Sequence, residues 1–518
     1  MPYIPDTNHF TALAKTFRLV PVYRRLFADG LTPLSAFARI DTGECGCLFE
    51  SVIGGEKVGR YSFLGAEAFM RLVAFGTSVR ITRGGHTETF ECPDPLAELE
   101  RRMKSFQPAR LPELPPFTSG VVGYASYDSV RYTEHLPNAP TDDLQLPDLS
   151  FAFYDRLVVF DNVNKSLDVV VLAHIDDPSD TGITDAYLKA CSRIDATLEQ
   201  LSRPRAWPFA ADIGPRPSLP SIEAEAVRST FTRDQFLAAV DRAIEYIRAG
   251  DIFQVVLSRR LEIPFALPPL ELYRTLRVVN PSPFMFYLRT PEATLVGSSP
   301  EIMVRVVDGT ITVRPLAGTR PRGATPQEDQ LLAEGLLADP KERAEHVMLI
   351  DLGRNDVGRV SAIGTVVLSD VMSIERYSHV MHLTSHVTGR LAPDTTAFDA
   401  LRACLPAGTV SGAPKIRAMQ IIDELEPVRR GPYAGAVGYI DFGGSMDTCI
   451  ALRTVVVAGS KAYVQSGAGI VADSVPASEF EETLNKAKGM LVAIEMTAER
   501  LGRPNNVERL TAGEPVAP

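Results

Sequence analysis

The sequence is poor in the features that mark secreted, membrane and nucleic-acid-binding proteins. Cysteine is scarce: six among 518 residues (Cys45, Cys47, Cys92, Cys191, Cys404 and Cys449), with Cys45 and Cys47 too close for a C-x-x-C clamp and no zinc-finger spacing. That pattern excludes a disulfide framework and reads as six reduced thiols in a cytoplasmic protein. No window approaches the roughly 18 uninterrupted apolar residues of a membrane helix. The segment 1–10 lacks the basic run and apolar core of a secretory signal. Positive charge is in deficit, 53 Lys and Arg against 64 Asp and Glu for a formal net charge of -11. This argues against nucleic acid or an anionic membrane as partner, while leaving room for a local cationic pocket that takes a small anion. What is present, 45% hydrophobic and 23% charged residues, is the balance of a globular chain, long enough for two large domains.

The expected fold is α+β, built from layered antiparallel sheets flanked by helices. Residues 1–201 read as an N-terminal domain, with an apolar strand over 167–175 and a helix over 184–201. Five prolines between 204 and 220 mark 202–228 as a linker. Residues 229–501 read as a second, larger domain, and 502–518 as a loose tail. The second domain opens on a helix with a Thr232/Gln235 capping box and a stop at Gly250. A strand follows at 252–260, with Phe253, Val255 and Leu257 on one face and Gln254, Val256 and Ser258 on the other. Asp308-Gly309 between two β-branched runs predicts a hairpin. The regular βα alternation of a doubly wound sheet is missing, which favours antiparallel strands.

Several side chains stand out chemically. Asp339-Pro340 opens one helix and puts Glu342 and Glu345 on one face; Pro476 opens another with Glu479 and Glu482 together and Lys486 a turn later. Such a pair is ordinarily a solvated face. Here each sits on a helix whose other residues (Val347, Met348, Ile350, Leu352; Leu484, Met490, Leu491, Ile494) are apolar, so a cation is expected to meet them. Oxygen-only ligands suit Mg²⁺. Gln465 to Gly469, at the end of a strand candidate that starts near Lys461, and Gly318 to Gly323, read as a cationic turn, are glycine-bearing segments that let backbone approach an anion. Arg453, inside an apolar run from Cys449 to Val457, is either half of a structural ion pair or an anion receptor. His382 shares a strand face with Thr384 and His386, and either a structural or a basic role fits.

Taken in chain order, these stretches resemble the chorismate-utilising enzymes, the family of anthranilate, aminodeoxychorismate, isochorismate and salicylate synthases. The matching segments are Gly297-Ser-Ser-Pro-Glu301, Pro315-Leu-Ala-Gly-Thr-Arg-Pro-Arg-Gly323, Glu345-His and Asp351-Leu-Gly-Arg-Asn-Asp356, Pro406 to Lys415, Gly435-Ala-Val-Gly438 and Gln465 to Gly469. The resemblance implies an active site in a cleft of the larger domain. It implies that Glu345 and Glu482, supported by Glu342 and Glu479, hold Mg²⁺. The metal and the backbone around Gly318, Thr319, Gly467, Ala468 and Gly469 would then grip the ring carboxylate, with Lys486 nearby. Arg453 and Tyr433 would receive the enolpyruvyl carboxylate. Glu301 would be the acid that protonates the departing hydroxyl, His382 the base that removes the C2 proton, and Thr409 a group that orients the ring.

Departures within the family narrow the expectation. Water-adding members carry a lysine at the position of Gln254, and a neutral amide cannot activate water, so a nitrogen nucleophile is implied. Many aminodeoxychorismate synthases use a lysine nucleophile where this chain has Ala317. Phe49-Glu50-Ser51 with Lys57, and Asn280 to Met285 with Pro283, Phe284 and Met285, resemble the two walls of an L-tryptophan inhibitor pocket. No Gly-x-Cys-x-Gly elbow with a downstream His-x-Glu is present, so a separate glutaminase subunit or free ammonium must supply nitrogen. An oligomer is expected. The expected activity is that of an anthranilate synthase. The rivals are an aminodeoxychorismate synthase and a non-catalytic tryptophan sensor.

Overall fold

The computed structural model describes residues 3–51, 59–203, 213–214, 227–377 and 380–501. Its frame is two antiparallel sheets of twelve strands each. The strands form where β-branched and aromatic residues cluster, as in Ser166–His174 (Ser-Leu-Asp-Val-Val-Val-Leu-Ala-His), of which the central seven residues are buried. Helices cover the outer faces: Asp180–Ser202 packs on Ser166–His174, and Pro476–Arg500 packs on Lys461–Ile470. An apolar layer containing Phe117, Tyr124, Phe286, Leu295 and Val437 draws strands of both sheets together. The architecture is the expected α+β one.

Each sheet mixes strands from both ends of the chain. In one, Gly46–Glu50 pairs with Phe284–Arg289, in register Glu50 to Met285. In the other, Gly120–Ala125 pairs with Ala436–Asp441. Division of the chain at 202–228 is therefore one of sequence order, since hydrogen bonding runs across it in both sheets. Residues 204–212, 215–226 and 502–518 lie outside the described residues, and with them most of the linker and all of the tail.

Local expectations from sequence are met in several places. Thr232 and Gln235 form a reciprocal capping box on Arg233–Ala249, and Gly250 ends that helix at φ +86°. Asp308 (φ +47°) and Gly309 (φ +72°) turn a two-residue hairpin between Val307 and Thr310, both central residues left-handed as a type I′ turn requires. Phe253 differs: it lies just before the strand Gln254–Pro264 and is 74% exposed. Val347 also differs, lying exposed on Pro340–Gly358 while its neighbour His346 is fully buried and bonded to Ser385 Oγ at 2.7 Å.

Two chain segments leave one sheet for the other at the same level, and this crossing builds the site. Thr294–Ser299 belongs to the first sheet and Ile302–Val307 to the second, so the chain crosses at Pro300-Glu301. Met446–Ile450 belongs to the second sheet and Thr454–Ala458 to the first, so it crosses back over 451–453. The apolar run from Cys449 to Val457 is thus two strands, and Arg453 sits in the joint at φ +47°. The crossings are tied by Ile450 N–H donating to the Glu301 carbonyl (3.0 Å) and Ser298 N–H donating to the Arg453 carbonyl (3.1 Å).

Candidate active site

Glu301 leaves the sheet crossing as a buried carboxyl. Burial pushes its pKa from the ordinary 4.5 up to about 8, against smaller lowering effects from the Thr409 hydroxyl, Arg314 and Lys486. Thr409 Oγ1 is buried and has no partner other than this carboxyl. A carboxyl held neutral at pH 7 can donate a proton, and the hydroxyl beside it has bonding capacity left for a ligand. A cleft opens on this pair, lined also by Leu349, Leu352 and Gly408.

His382 stands on Val380–Arg390 with its Nδ1 at 2.8 Å from the carbonyl oxygen of Gly318 and 3.1 Å from Thr319 Oγ1. Burial lowers its pKa to about 4; the Gly318 carbonyl and Glu375 oppose this, while Arg453 and Arg314 add to it. The imidazole is therefore neutral at physiological pH. Gly318 and Thr319 do not form the expected turn: they lie within a strand, Leu316–Pro321, that breaks register with its neighbour between Ala317 and Arg320. Gly318 has φ +61°, and a Cβ there would meet Glu342 Oε2 at 2.9 Å, so only glycine brings that backbone between the histidine and the glutamate.

The glycines of 465–469 are likewise inside a strand, Lys461–Ile470, which Gln254–Pro264 flanks along its length and Thr454–Ala458 flanks only as far as Val464. Gly467 directs its carbonyl to Lys486 Nζ at 3.0 Å. A Cβ at Gly467 would meet the Tyr433 hydroxyl at 3.0 Å and the Leu257 carbonyl oxygen at 2.9 Å, and one at Gly469 would meet Gln254 Nε2 at 2.6 Å. Two sequence-distant groups thus close on backbone that lacks side chains. Gln254 Nε2 lies 3.4 Å from Glu345 Oε1, and its amide oxygen is buried with no partner.

The four expected carboxylates come together from the first turns of two helices. Burial raises the pKa of Glu345, and Glu342 and Glu482 raise it further; burial and Glu482 do the same to Glu479. Crowded, partly desolvated carboxylates are the donor set of a hard divalent cation, so the residues fit Mg²⁺ chemically. As they stand, Glu482 is turned to Lys486 Nζ (2.6 Å) and Glu342 to Arg320 Nη1 (3.1 Å), and no three acidic, histidine or cysteine side chains converge as metal ligands among the described residues.

Arg453 is partly buried; desolvation lowers its pKa and the Tyr377 hydroxyl works against this. Tyr433 is buried, its ring 5.7 Å from the Arg430 guanidinium. Arg430, which sequence reading missed, is held by Glu426 (2.6 Å) and donates to the carbonyls of Val410 and Val256. Arg314, Glu375 and Tyr377 beside His382 were also missed, since each reads as an isolated polar residue on a strand.

The two segments expected to bind tryptophan are adjacent, as the pairing of Glu50 with Met285 requires. Glu50, however, is buried and already engaged by Tyr273 Oη (2.7 Å) and Arg277 (3.0 Å), both on Pro269–Val279. Met285 is fully buried in the core. Those two residues are already engaged within the fold; Ser51, Pro283 and Phe284 adjoin them in the chain, and Lys57 lies outside the described residues.

The profile of the chorismate binding enzyme family matches residues 58–492. Anthranilate synthase component 1 from Acetivibrio thermocellus is 45% identical over 501 residues, covering 96% of this chain and 99% of the relative. The protein of that name from Pseudomonas aeruginosa is 49% identical over 488 residues, covering 93% and 96%. The crystal structure of anthranilate synthase component I from Streptococcus pneumoniae superimposes with a TM-score of 0.73 at 36% identity, over 90% of this chain and 99% of that one. Likeness of this degree runs through both sheets and every segment that reaches the cleft, and the chain belongs to the chorismate binding enzyme family, among its anthranilate synthase component 1 members.

Proposed function

We propose that the protein converts chorismate and ammonia to anthranilate, pyruvate and water. The observation that carries this reading is a pair of opposed environments, both within reach of the Arg314 charge: a carboxyl, Glu301, kept protonated to about pH 8, and an imidazole, His382, kept neutral down to about pH 4. Groups set apart in this way are suited to one proton donation and one proton abstraction at neutral pH.

In the first step ammonia adds at C2 of the ring and the double bonds shift. The C4 hydroxyl departs as water with the proton of Glu301, since hydroxide is a poor leaving group. Gln254, whose amide oxygen has no partner, accepts a hydrogen bond from the incoming ammonia; an amide cannot take a proton from water, which favours nitrogen over oxygen addition. In the second step His382 removes the C2 proton, the C3–O bond breaks, pyruvate leaves as its enol and the ring becomes aromatic. Arg453 and Tyr433 hold the enolpyruvyl carboxylate. Thr409 orients the ring beside Glu301, and the amides of Gly467 and Gly469, with Lys486, face the substrate. Glu345 and Glu482, with Glu342 and Glu479, would hold Mg²⁺, which supplies positive charge for the ring carboxylate.

Ammonia comes from a separate glutaminase subunit; the relatives are numbered component 1, and this sequence carries no cysteine elbow of its own. L-tryptophan binds beside Ser51, Pro283 and Phe284 and inhibits. The adjacent helix Pro269–Val279 packs on Pro476–Arg500, which carries Glu479, Glu482 and Lys486, and so offers a physical route between the two sites. Ser51→Phe should abolish tryptophan inhibition and leave catalysis intact; inhibition equal to that of the parent would place the inhibitor elsewhere. Among the described residues no helix is long and apolar enough to cross a membrane, and the proposed location is the cytoplasm. The test of the activity is anthranilate and pyruvate release from chorismate, ammonium and Mg²⁺. Release of an aminated ring with pyruvate still attached would make the protein an aminodeoxychorismate synthase instead.

A further inference from the structure

Arg314 lies just before Pro315, between two short strands, and is 6% exposed. Its Nη1 donates to Glu375 Oε1 at 3.0 Å and its Nη2 to the Tyr377 hydroxyl at 3.4 Å. Tyr377 in turn donates to Glu375 Oε2 at 2.8 Å. The three side chains therefore close a ring of hydrogen bonds, and the ring is built around the histidine. Glu375 is the cross-strand partner of His382. The Tyr377 ring meets the imidazole edge-on, with centroids 5.5 Å apart and planes at 63°. Val313 and Pro315, the residues flanking Arg314 in the chain, line the same cleft as Glu301, and the Arg314 charge acts on that carboxyl.

A structural ion pair is the simplest alternative, and two observations tell against it. Arg314 Nε is buried and has no partner. Its carboxylate partner, Glu375, is a third exposed at 32% of its side-chain surface. Burying a guanidinium with a donor unmet, against a partner still in contact with water, is a poor way to add stability. The same arrangement makes sense if its purpose is the field and the geometry between the acid and the base.

We propose that Arg314 is a positioning residue for both proton-transfer groups of the reaction proposed above, on which this inference rests: through Glu375 and Tyr377 it sets the ring of His382, and its own charge lies beside Glu301. The groups that face Glu301 are then the Thr409 hydroxyl, Arg314 and Lys486. Those that face His382 are the Gly318 carbonyl, Thr319, Tyr377, Glu375, Arg453 and Arg314. Arg314 is the one residue in both sets. Its positive charge eases ionisation of Glu301 and opposes protonation of His382, so its loss should make both groups hold protons more tightly.

The experiment compares the parent, Arg314→Gln and Glu375→Gln in ammonia-dependent turnover, with rates normalised to free ammonia from pH 6 to 9.5 and the aminated intermediate separated from anthranilate. The parent must form anthranilate; if it does not, the proposed activity fails, and that result is separate from this one. Arg314→Gln should move the alkaline limb of kcat/KM upward by roughly 0.5–1 unit, the lower range for loss of a nearby charge. Glu375→Gln, which keeps the arginine, should leave that limb in place. Both should release a larger share of product as the intermediate, because the histidine has lost its setting. If Arg314→Gln fails to fold, an unchanged intermediate share in Glu375→Gln, at a site one-third exposed, is enough to reject the positioning role. Variants that are merely slower, with limbs and product ratios of the parent, would overturn the proposal.

Discussion

His382 Nδ1 lies 2.8 Å from the carbonyl oxygen of Gly318. A carbonyl only accepts, so Nδ1 carries the hydrogen and the lone pair is left on Nε2, the nitrogen free to receive a proton. His382→Met should therefore separate the two steps of the reaction. Amination should continue, pyruvate release should fall by about 10²–10⁴-fold, and the aminated intermediate should build up, as seen by chromatography of quenched reactions. Equal loss of both steps would show that His382 does not act in the elimination alone.

Glu301 sets the alkaline side of the pH profile. As a donor it works while protonated, so activity per free ammonia should be level below about pH 8 and fall as pH rises through that value. Glu301→Gln should remove most of the rate together with that limb. Stability carries the opposite sign from an ion-paired carboxylate. Above the ordinary 4.5 the unfolded chain has lost a proton that the folded chain still holds, so folding free energy should weaken between about pH 4.5 and 8. Glu301→Gln should flatten that decline in denaturant titrations. An unshifted stability profile would contradict the buried, neutral carboxyl.

The crowded carboxylates make a prediction about folding as well as activity. In the parent, Mg²⁺ should raise the melting temperature, since it binds the folded state only. Glu345→Gln should lose both activity and the Mg²⁺ effect, while melting no lower than the metal-free parent, because the substitution relieves like-charge repulsion from Glu342 and Glu482. A variant that melts well below the parent in chelator would mean that Glu345 is a structural residue.

Gly469→Ala tests the close approach of backbone and amide. Its methyl group would lie 2.6 Å from Gln254 Nε2, a contact a flexible side chain can escape by turning away from Glu345. The variant should fold, and the KM for ammonia should rise more than that for chorismate. An unchanged ammonia KM would remove Gln254 from the path of the nucleophile.

Much of the site was legible because its parts are local. Pro340 and Pro476 announce helix starts, so Glu342 with Glu345 and Glu479 with Glu482 fall on known faces. Glycines at 318, 467 and 469 stand where a side chain would collide. The strand crossing was not legible. Cys449 to Val457 is apolar apart from Arg453 and Thr454, and nothing local says that it changes sheets at Arg453. Nor does local pattern reveal that Gly46–Glu50 pairs with a strand more than two hundred residues later. His346 and Val347 show the limit of helical periodicity: one residue's rotation exchanged the buried and exposed positions. Arg314, Glu375 and Tyr377 have meaning only through the sheet register that places them round His382.

The most direct test of the account mixes the purified protein with chorismate, Mg²⁺ and ammonium at mildly alkaline pH and follows anthranilate fluorescence and pyruvate together. Both should appear at equal rates and in equal amounts, and glutamine should replace ammonium only when a separate glutaminase subunit is added. Chorismate consumed without anthranilate, or left unconsumed in the presence of metal and ammonium, would contradict it.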